Sequence, residues 1–209
     1  MKPVLVIEDH AIVRAGIRRL LDERGDVEVQ EVSTGEAALE AIAGRAFALI
    51  ILDLNLPGLA GLELLRRIIR QAPGMPVLVF SQHTEAIYAT RALETGARGF
   101  VSKNASPEEL LEAVETILHG GTAIEKDVAA EMALHDLAED AYLKPLTERD
   151  LEILRLLSAG DSLSEIADKL GIAYKTVANT LSRIKEKLGV GQTSELIRIA
   201  VSRGLADRV

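Results

Sequence analysis

The sequence predicts a doubly wound α/β domain with a five-stranded parallel sheet, followed by a small all-helical domain. Three observations support this. Short apolar runs rich in Val and Ile alternate with helical patterns in the first part. The strand pattern stops near Gly121, and only helical periodicity follows Leu146. A chain of 209 residues has room for two modest cores, so we expect domains at 1–120 and 145–209 and a linker at 121–144.

Five apolar runs are predicted strands, and each is followed by a predicted helix. The strands are expected at Val4–Ile7, Val27–Val32, Ala48–Leu52, Val77–Phe80 and Gly99–Val101. The helices are expected near 11–23, 35–43, 60–71, 85–95 and 107–118. The last helix has the clearest start, because Ser106 can act as its N-cap and Glu109 stands at the capping-box position. Alternating strands and helices with short connections favour a parallel sheet covered on both faces.

The segment after the sheet predicts an acidic linker helix and then four short helices. The linker helix is expected at Lys126–Asp140 and is interpreted as solvated, with a regulatory contact as the alternative. The first of the four helices begins after Thr147 and stops before Gly160. The others are expected at Ser164–Leu170, Tyr174–Leu188 and Gln192–Arg203. Two helices joined by a short turn containing glycine are typical of a helix-turn-helix, whose second helix enters the major groove of DNA.

Composition narrows the classes of function. The net charge is −8, but residues 1–145 hold 14 basic and 23 acidic residues, whereas residues 146–209 hold 10 and 9. The acidic total argues against non-specific binding of nucleic acid, and the uneven split favours two different roles. The chain has no cysteine, which excludes disulfides and thiolate metal sites. No apolar run approaches the roughly 18–20 residues of a membrane span, so we expect no membrane partner and a cytoplasmic location.

Polar residues stand at the ends of four predicted strands. They are Glu8, Asp9, Asp53, Ser81 and Lys103. Ligands of open α/β sheets bind at the carboxyl ends of the strands, so these side chains are expected to converge. The carboxylates suit Mg²⁺, and one of them can act as a nucleophile towards a phosphoryl group whose charge Mg²⁺ and the lysine neutralise. Taken singly, each residue is more often a turn residue, a helix cap or a surface charge.

These residues, with Leu49–Asp53, Leu54–Gly58 and Phe100, resemble a response-regulator receiver domain over residues 1–120. The resemblance implies a flavodoxin-like fold with strand order 2-1-3-4-5. It implies the following roles: Asp53 as phosphoacceptor, Glu8, Asp9, Asp53 and the backbone carbonyl of Asn55 as Mg²⁺ ligands, Lys103 as charge partner, Ser81 as switch hydroxyl, and Phe100 as the aromatic residue that turns inward after phosphorylation. Gln82 and His83 are bulkier than is usual after the switch hydroxyl, and we expect them to alter the lifetime of the acyl phosphate.

The predicted third helix of the second domain carries a basic exposed face. Its net charge is +3 over residues 174–188, and 3.6-residue periodicity directs a polar face away from its apolar stripe. The candidate DNA-contacting residues are Lys175, Thr176, Asn179, Ser182 and Arg183. Lysine and arginine bind phosphates or guanine, and asparagine can read adenine.

Residues 146–205 resemble a LuxR-type helix-turn-helix domain. The matching segments are Leu146–Asp150, Glu165–Leu170, Lys175–Val177, Leu181–Ile184 and Lys187–Gly189, together with Asn179. Three residues depart from the family pattern: Ala178 replaces a lysine that reaches DNA, Thr180 replaces a common histidine, and Ala173 replaces a serine cap. Loss of the cap costs about 1 kcal/mol, so we expect weakened or altered DNA binding.

The whole chain is thus similar to NarL/FixJ-type response regulators. This resemblance implies that a sensor histidine kinase phosphorylates Asp53, and that the protein then binds promoter DNA as a homodimer, with Leu196, Ile197 and Ala200 of the fourth helix as the dimer surface. It implies no enzymatic activity beyond the chemistry at Asp53. The alternative is a phosphotransfer or protein-interaction regulator that has weak or lost DNA binding. A haloacid-dehalogenase-type hydrolase is disfavoured, because Asn55 stands where such enzymes need a second aspartate.

Overall fold

The computed structural model describes residues 1–57, 61–82, 86–134, 143, 145–202 and 205. Its internal contacts divide the chain into two units, residues 1–132 and residues 133–209. His83 and residues 135–140 of the predicted linker helix lie outside the described residues.

The first unit contains a parallel sheet in the order β2-β1-β3-β4-β5-β6. Its strands are β1 (Lys2–Ile7), β2 (Val27–Val32), β3 (Leu49–Leu52), β4 (Val77–Ser81), β5 (Gly99–Ser102) and β6 (Ala123–Ile124). The helices of this unit are α1 (Ala11–Asp22), α2 (Gly35–Gly44), α3 (Gly61–Gln71), α4 (Ala86–Thr95) and α5 (Pro107–Leu118). A further helix, α6 (Lys126–Leu134), begins in this unit and ends two residues beyond it. The predicted doubly wound α/β class and the order of the first five strands are confirmed.

Side chains on the two faces of the sheet pack against different helices. Val4 and Val6 on one face belong to a buried cluster with Leu21 of α1 and Val114 of α5. Strand residues alternate between faces, so Leu5, which is also fully buried, points to the side of the sheet that carries α2, α3 and α4. Both faces are therefore covered, so a ligand of this sheet is expected at the ends of its strands.

The prediction of five strands was wrong by one. β6 lies parallel to β5, where Ala123 N–H donates to the carbonyl of Arg98 at 3.0 Å and Glu125 N–H donates to the carbonyl of Phe100 at 3.1 Å. A strand of two residues is too short to show alternation in the sequence, so β6 is recognised from its pairing with β5. The chain after α5 thus returns to the sheet before α6 begins.

The second unit is helical, as predicted. Its helices are α7 (Glu148–Ser158), α8 (Leu163–Lys169), α9 (Tyr174–Leu188) and α10 (Thr193–Ser202). Thr147 caps α7 through a capping box with Asp150. Ser162 caps α8 in the same way through Glu165, so α8 starts slightly earlier than the pattern predicts.

The apolar stripe of α9 is buried at Val177, Leu181, Ile184 and Leu188, at the predicted spacing. In α10, Leu196 and Ala200 are fully buried within the chain itself. The predicted dimer surface is therefore wrong at these two residues, because the unit uses them for its own core. The third predicted residue, Ile197, is half-buried and stays a prediction. Among the described residues, no helix is both long enough and apolar enough to cross a membrane.

Candidate functional site

The carboxyl ends of four neighbouring strands carry the polar residues of the first candidate site. Glu8 and Asp9 follow β1, Asp53 follows β3, Ser81 ends β4, and Lys103 follows β5. The side chains of Glu8 and Asp53 are each only 1% exposed, and Lys103 is 7% exposed. The structure thus brings these charged groups together at one edge of the sheet.

Lys103 connects two of the carboxylates. Its Nζ atom lies 2.7 Å from Oε2 of Glu8 and 2.8 Å from Oδ2 of Asp53. Buried charges are tolerated when they are paired and hydrogen-bonded, so the ammonium offsets the cost of keeping two carboxylates out of water. The position of the lysine at the end of β5 is what allows it to reach across β4 to β3.

The sheet fixes the backbone of the acidic residues. The N–H of Glu8 donates to Val32 at 3.1 Å, and the N–H of Asp53 donates to Ile7 at 3.0 Å. Oδ1 of Asp53 accepts from the N–H of Asn55 at 3.0 Å. Both oxygens of Asp53 are therefore held by hydrogen bonds or an ion pair, and the carboxylate has one defined orientation.

Two residues that the sequence analysis did not select also shape this edge. Oε1 of Glu8 accepts from the N–H of His10 at 3.0 Å, and Nδ1 of His10 lies 3.1 Å from the same atom and 3.0 Å from Oδ1 of Asp9. Arg14 donates to the carbonyls of Glu8 at 2.7 Å and Asp9 at 3.2 Å. The sequence signal that could have identified Arg14 is its place in the first turn of α1, one turn after His10.

The residues present fit a divalent cation. Ligand atoms of Glu8, Asp9, His10 and Asp53 all lie within 4.8 Å of one another. Oδ1 of Asn55 is buried and has no hydrogen-bond partner among the residues that the structure describes. A set dominated by carboxylate oxygens matches the preference of Mg²⁺ for hard oxygen ligands.

The predicted switch residues are buried beside this edge. Ser81 and Phe100 are both fully buried, and so is Tyr88 of α4. The ring of Phe100 therefore already points inward in this structure, the position that the sequence analysis assigned to the phosphorylated state. Gln82 is exposed directly after Ser81.

The second candidate site is the exposed face of α9. Lys175, Thr176, Asn179, Ser182 and Arg183 are all exposed there, as the helical periodicity predicted. Ser182 is partly engaged, because its Oγ donates to the carbonyl of Ala178 at 3.1 Å.

The three residues that depart from the family pattern lie in different parts of α9. Ala178 lies at the margin of the exposed face of α9 and is half-buried. Thr180 is buried, so it belongs to the packed side of α9. Ala173 is the N-cap of α9, and alanine has no side-chain oxygen to accept from the first turn.

Arg183 also has a partner that the sequence analysis missed. Its Nη2 donates to Oδ1 of Asp150 at 2.8 Å, and Nζ of Lys187 donates to Oδ2 of Asp150 at 2.6 Å. Asp150 is fully buried and also accepts from the N–H of Thr147 at 2.9 Å. The aspartate therefore connects α7 to two basic residues of α9 and fixes where the guanidinium of Arg183 lies.

Comparison with known families matches both units of the chain. Residues 4–115 match the response regulator receiver domain family, and residues 144–200 match the luxR family of bacterial regulatory proteins. Members of such families are generally regulators rather than enzymes.

Known proteins resemble the chain over nearly its whole length. The transcriptional activator protein ExaE of Pseudomonas putida is 38% identical over 207 residues, which cover 97% of each protein. The transcriptional regulatory protein UhpA of Escherichia coli K12 is 37% identical over 95% of this chain and 97% of UhpA. A solved structure of RcsB from Salmonella enterica serovar Typhimurium, bound to promoter rprA in the presence of the phosphomimetic BeF3-, has a TM-score of 0.65 and 26% identity. The match covers 95% of this chain and 97% of the RcsB chain.

Proposed function

Because this chain belongs to the response regulators, which join a receiver domain to a LuxR-type DNA-binding domain, we propose that phosphorylation of Asp53 by a sensor histidine kinase controls promoter binding by residues 145–209. The observation that carries the proposal is Lys103, whose Nζ lies 2.8 Å from Oδ2 of Asp53 at the buried end of the sheet. In this proposal residues 1–120 receive the phosphoryl group and residues 121–144 connect the two functions. The location is the cytoplasm, where promoter DNA and the kinase are both accessible.

Asp53 is the nucleophile in this proposal. One of its carboxylate oxygens attacks the phosphorus of the phosphohistidine on the kinase, an O–P bond forms, and the P–N bond breaks with its electron pair returning to the imidazole. The N–H of Asn55 orients the carboxylate, and the ammonium of Lys103 offsets the charge that gathers on the phosphoryl oxygens. Bound Mg²⁺, held by Glu8, Asp9, Asp53 and the backbone carbonyl of Asn55, would neutralise further negative charge.

A movement of the Lys103 ammonium is the first step of the switch in this proposal. In the unmodified protein its ammonium is divided between Glu8 and Asp53. Formation of the acyl phosphate removes the negative charge of the Asp53 carboxylate and places new charge on the phosphoryl oxygens, so the ammonium is expected to follow that charge. Ser81 at the end of β4 is the proposed hydroxyl donor to the phosphoryl group.

Double-stranded DNA is the proposed partner of α9. Lys175 and Asn179 lie exposed on one face of this helix, one turn apart, which suits contact with a phosphate and a base edge. RcsB, which resembles this chain over both units, has been solved bound to a promoter. We propose that the phosphorylated protein binds DNA as a homodimer through surfaces other than Leu196 and Ala200, which are buried.

Phosphate incorporation tests the site directly. The wild type, Asp53→Asn and the control Asp22→Asn, which alters an exposed carboxylate on α1, are incubated with Mg²⁺ and acetyl phosphate. We expect an acyl phosphate that hydroxylamine removes in the wild type and in the control, and none in Asp53→Asn. Equal labelling of Asp53→Asn would contradict the assignment.

The alternative function is a regulator that acts by phosphotransfer or protein contact and has weak or lost DNA binding. Two observations favour it. Ala178 carries no charge that could contact a DNA phosphate, and the guanidinium of Arg183 is hydrogen-bonded to Asp150. The measurement that separates the two is DNA affinity across salt concentration. DNA binding through about three phosphates gives a slope of log affinity against log salt near −2.7, whereas the alternative predicts a shallower slope or no measurable binding to a duplex selected from a random pool.

A further inference from the structure

The first part of the segment between the two family matches, residues 116–134, contains a strand and a helix. Residues 116–143 lie between the matched ranges 4–115 and 144–200. Within this segment β6 adds to the sheet and α6 begins two residues later. The neighbour of β6 is β5, which ends immediately before Lys103. The connecting chain therefore begins at the edge of the sheet that carries the charged site.

Glu125 makes three different connections at this place. Its carboxylate accepts from the N–H of Ser102 at 2.6 Å through Oε2 and lies 3.2 Å from the hydroxyl of Ser102 through Oε1. Its own N–H donates to the carbonyl of Phe100 at 3.1 Å, and its carbonyl accepts from the N–H of Ala129 at 2.8 Å. One residue thus ends β6, holds the last residue of β5 and starts α6.

Ser102, which Glu125 holds, directly precedes Lys103 of the charged site. Ser102 is 1% exposed, and a charge-assisted hydrogen bond to a buried N–H is among the stronger contacts in a protein. The next residue, Lys103, donates its N–H to Ser81 at 2.8 Å and its ammonium to Asp53 at 2.8 Å. Asp53 and α6 are therefore joined by a continuous series of contacts through Lys103, Ser102 and Glu125.

We propose that Glu125 is a positioning residue that transmits the phosphorylation state of Asp53 to the start of α6, and so to the chain that leads to the DNA-binding unit. The inference rests on the proposed function. When Lys103 follows the charge of the phosphoryl group, its backbone moves with Ser102, and the carboxylate of Glu125 carries that displacement to the first turn of α6. Without this carboxylate, residue 125 keeps its main-chain bonds to Phe100 and Ala129, but the direct connection of its side chain to Ser102 is lost.

Three variants of the full-length protein test this role. Glu125→Ala removes the carboxylate, Glu125→Gln keeps an oxygen for the N–H of Ser102, and Asp127→Ala removes an equal charge from an exposed position two residues away. The first readout is acyl phosphate at Asp53, formed with Mg²⁺ and acetyl phosphate. The second is hydrogen exchange of residues 126–132. The third is affinity for a duplex selected from a random pool by the phosphorylated wild type, measured with and without phosphorylation.

In Glu125→Ala we expect wild-type levels of acyl phosphate and exchange in α6 that is faster by about tenfold or more. We also expect the phosphorylation-dependent gain in DNA affinity to fall by at least about fivefold. Glu125→Gln should keep most of the gain. Asp127→Ala removes a favourable charge from the first turn of α6, but it should keep the wild-type gain in DNA affinity. A purely structural contact would lower affinity equally with and without phosphorylation.

Unchanged exchange in α6, or a wild-type gain in Glu125→Ala, would overturn the role of Glu125. If Asp53 takes no phosphate in the wild type, or phosphorylation leaves its DNA affinity unchanged, the proposed function fails together with this inference. The two failures are therefore distinguishable.

Discussion

Replacing Asp150 by asparagine removes one buried negative charge from between α7 and α9. The aspartate is fully buried and accepts hydrogen bonds from Arg183, Lys187 and the N–H of Thr147. Asparagine has nearly the same shape and keeps an oxygen for Thr147. The substitution therefore tests the charge and leaves the packing of the two helices in place.

The expected loss follows from the exposure of the basic partners. A hydrogen bond to a charged group contributes about 1.5–3 kcal/mol, and two such bonds are weakened here. The side chains of Arg183 and Lys187 are 54% and 26% exposed, so solvent screens both interactions. We therefore expect Asp150→Asn to lower the free energy of unfolding of residues 133–209 by about 2 kcal/mol.

The charge of Asp150 also makes the stability of the second unit depend on pH, and the pKa of Asp150 gives the sign of that dependence. Burial by itself raises the pKa of Asp150, but hydrogen bonds from Lys187, Thr147 and Arg183 hold the pKa below its ordinary value of 3.8. The folded state therefore binds this proton less readily than the unfolded chain. The stabilisation is fully present above about pH 5 and is lost as the pH falls through the folded-state pKa. Asp150→Asn should lack this part of the acid-induced loss.

Urea unfolding monitored by hydrogen exchange in α7 and α9 measures both effects, because it reports on the second unit alone. Asp168→Asn serves as the control, since it neutralises an exposed carboxylate on α8. A free energy of unfolding for Asp150→Asn within about 0.5 kcal/mol of the wild type, together with an unchanged acid profile, would refute the reasoning.

Three further substitutions have defined outcomes. Ala173→Ser supplies the missing cap of α9 and should stabilise the second unit by about 1 kcal/mol in thermal unfolding; no gain would mean that the first turn is already satisfied. Ala178→Lys should raise DNA affinity and steepen the salt dependence by about 0.9 in log units, and an unchanged slope would place residue 178 away from phosphates. Gly61→Ala puts a Cβ within 2.3 Å of the Cα of Leu54, beside Asp53, and should cost about 1–3 kcal/mol and slow phosphate incorporation. Its control Gly16→Ala, where a Cβ meets open space, should leave incorporation unchanged.

The sheet and the converging strand ends could be predicted because each depends on local sequence. Buried parallel strands are continuous apolar runs, such as that of β3 before Asp53, and the rule that ligands bind at the carboxyl ends of strands gives the location of the site. The distances from Lys103 to Glu8 and Asp53 could not be predicted, because they depend on the relative positions of β1, β3 and β5.

Contacts between distant parts of the chain were missed for the same reason. The sequence analysis placed Asp150 only within the matching segment Leu146–Asp150 and interpreted Arg183 as a DNA contact, and both interpretations are local. The ion pair between them depends on how α7 packs against α9, which periodicity does not specify. Glu125 lies 23 residues after Ser102 and directly follows a two-residue strand, so no local pattern indicated that it would hold β5.

The central claim is that phosphate on Asp53 changes DNA binding by the second unit. The most direct measurement is the affinity of the wild type and of Asp53→Asn for the selected duplex at one fixed salt concentration, each with and without acetyl phosphate and Mg²⁺. We predict that phosphorylation raises the affinity of the wild type by at least about fivefold and leaves Asp53→Asn unchanged. A wild type that binds equally in both conditions, or an Asp53→Asn variant that responds as the wild type does, would contradict the claim.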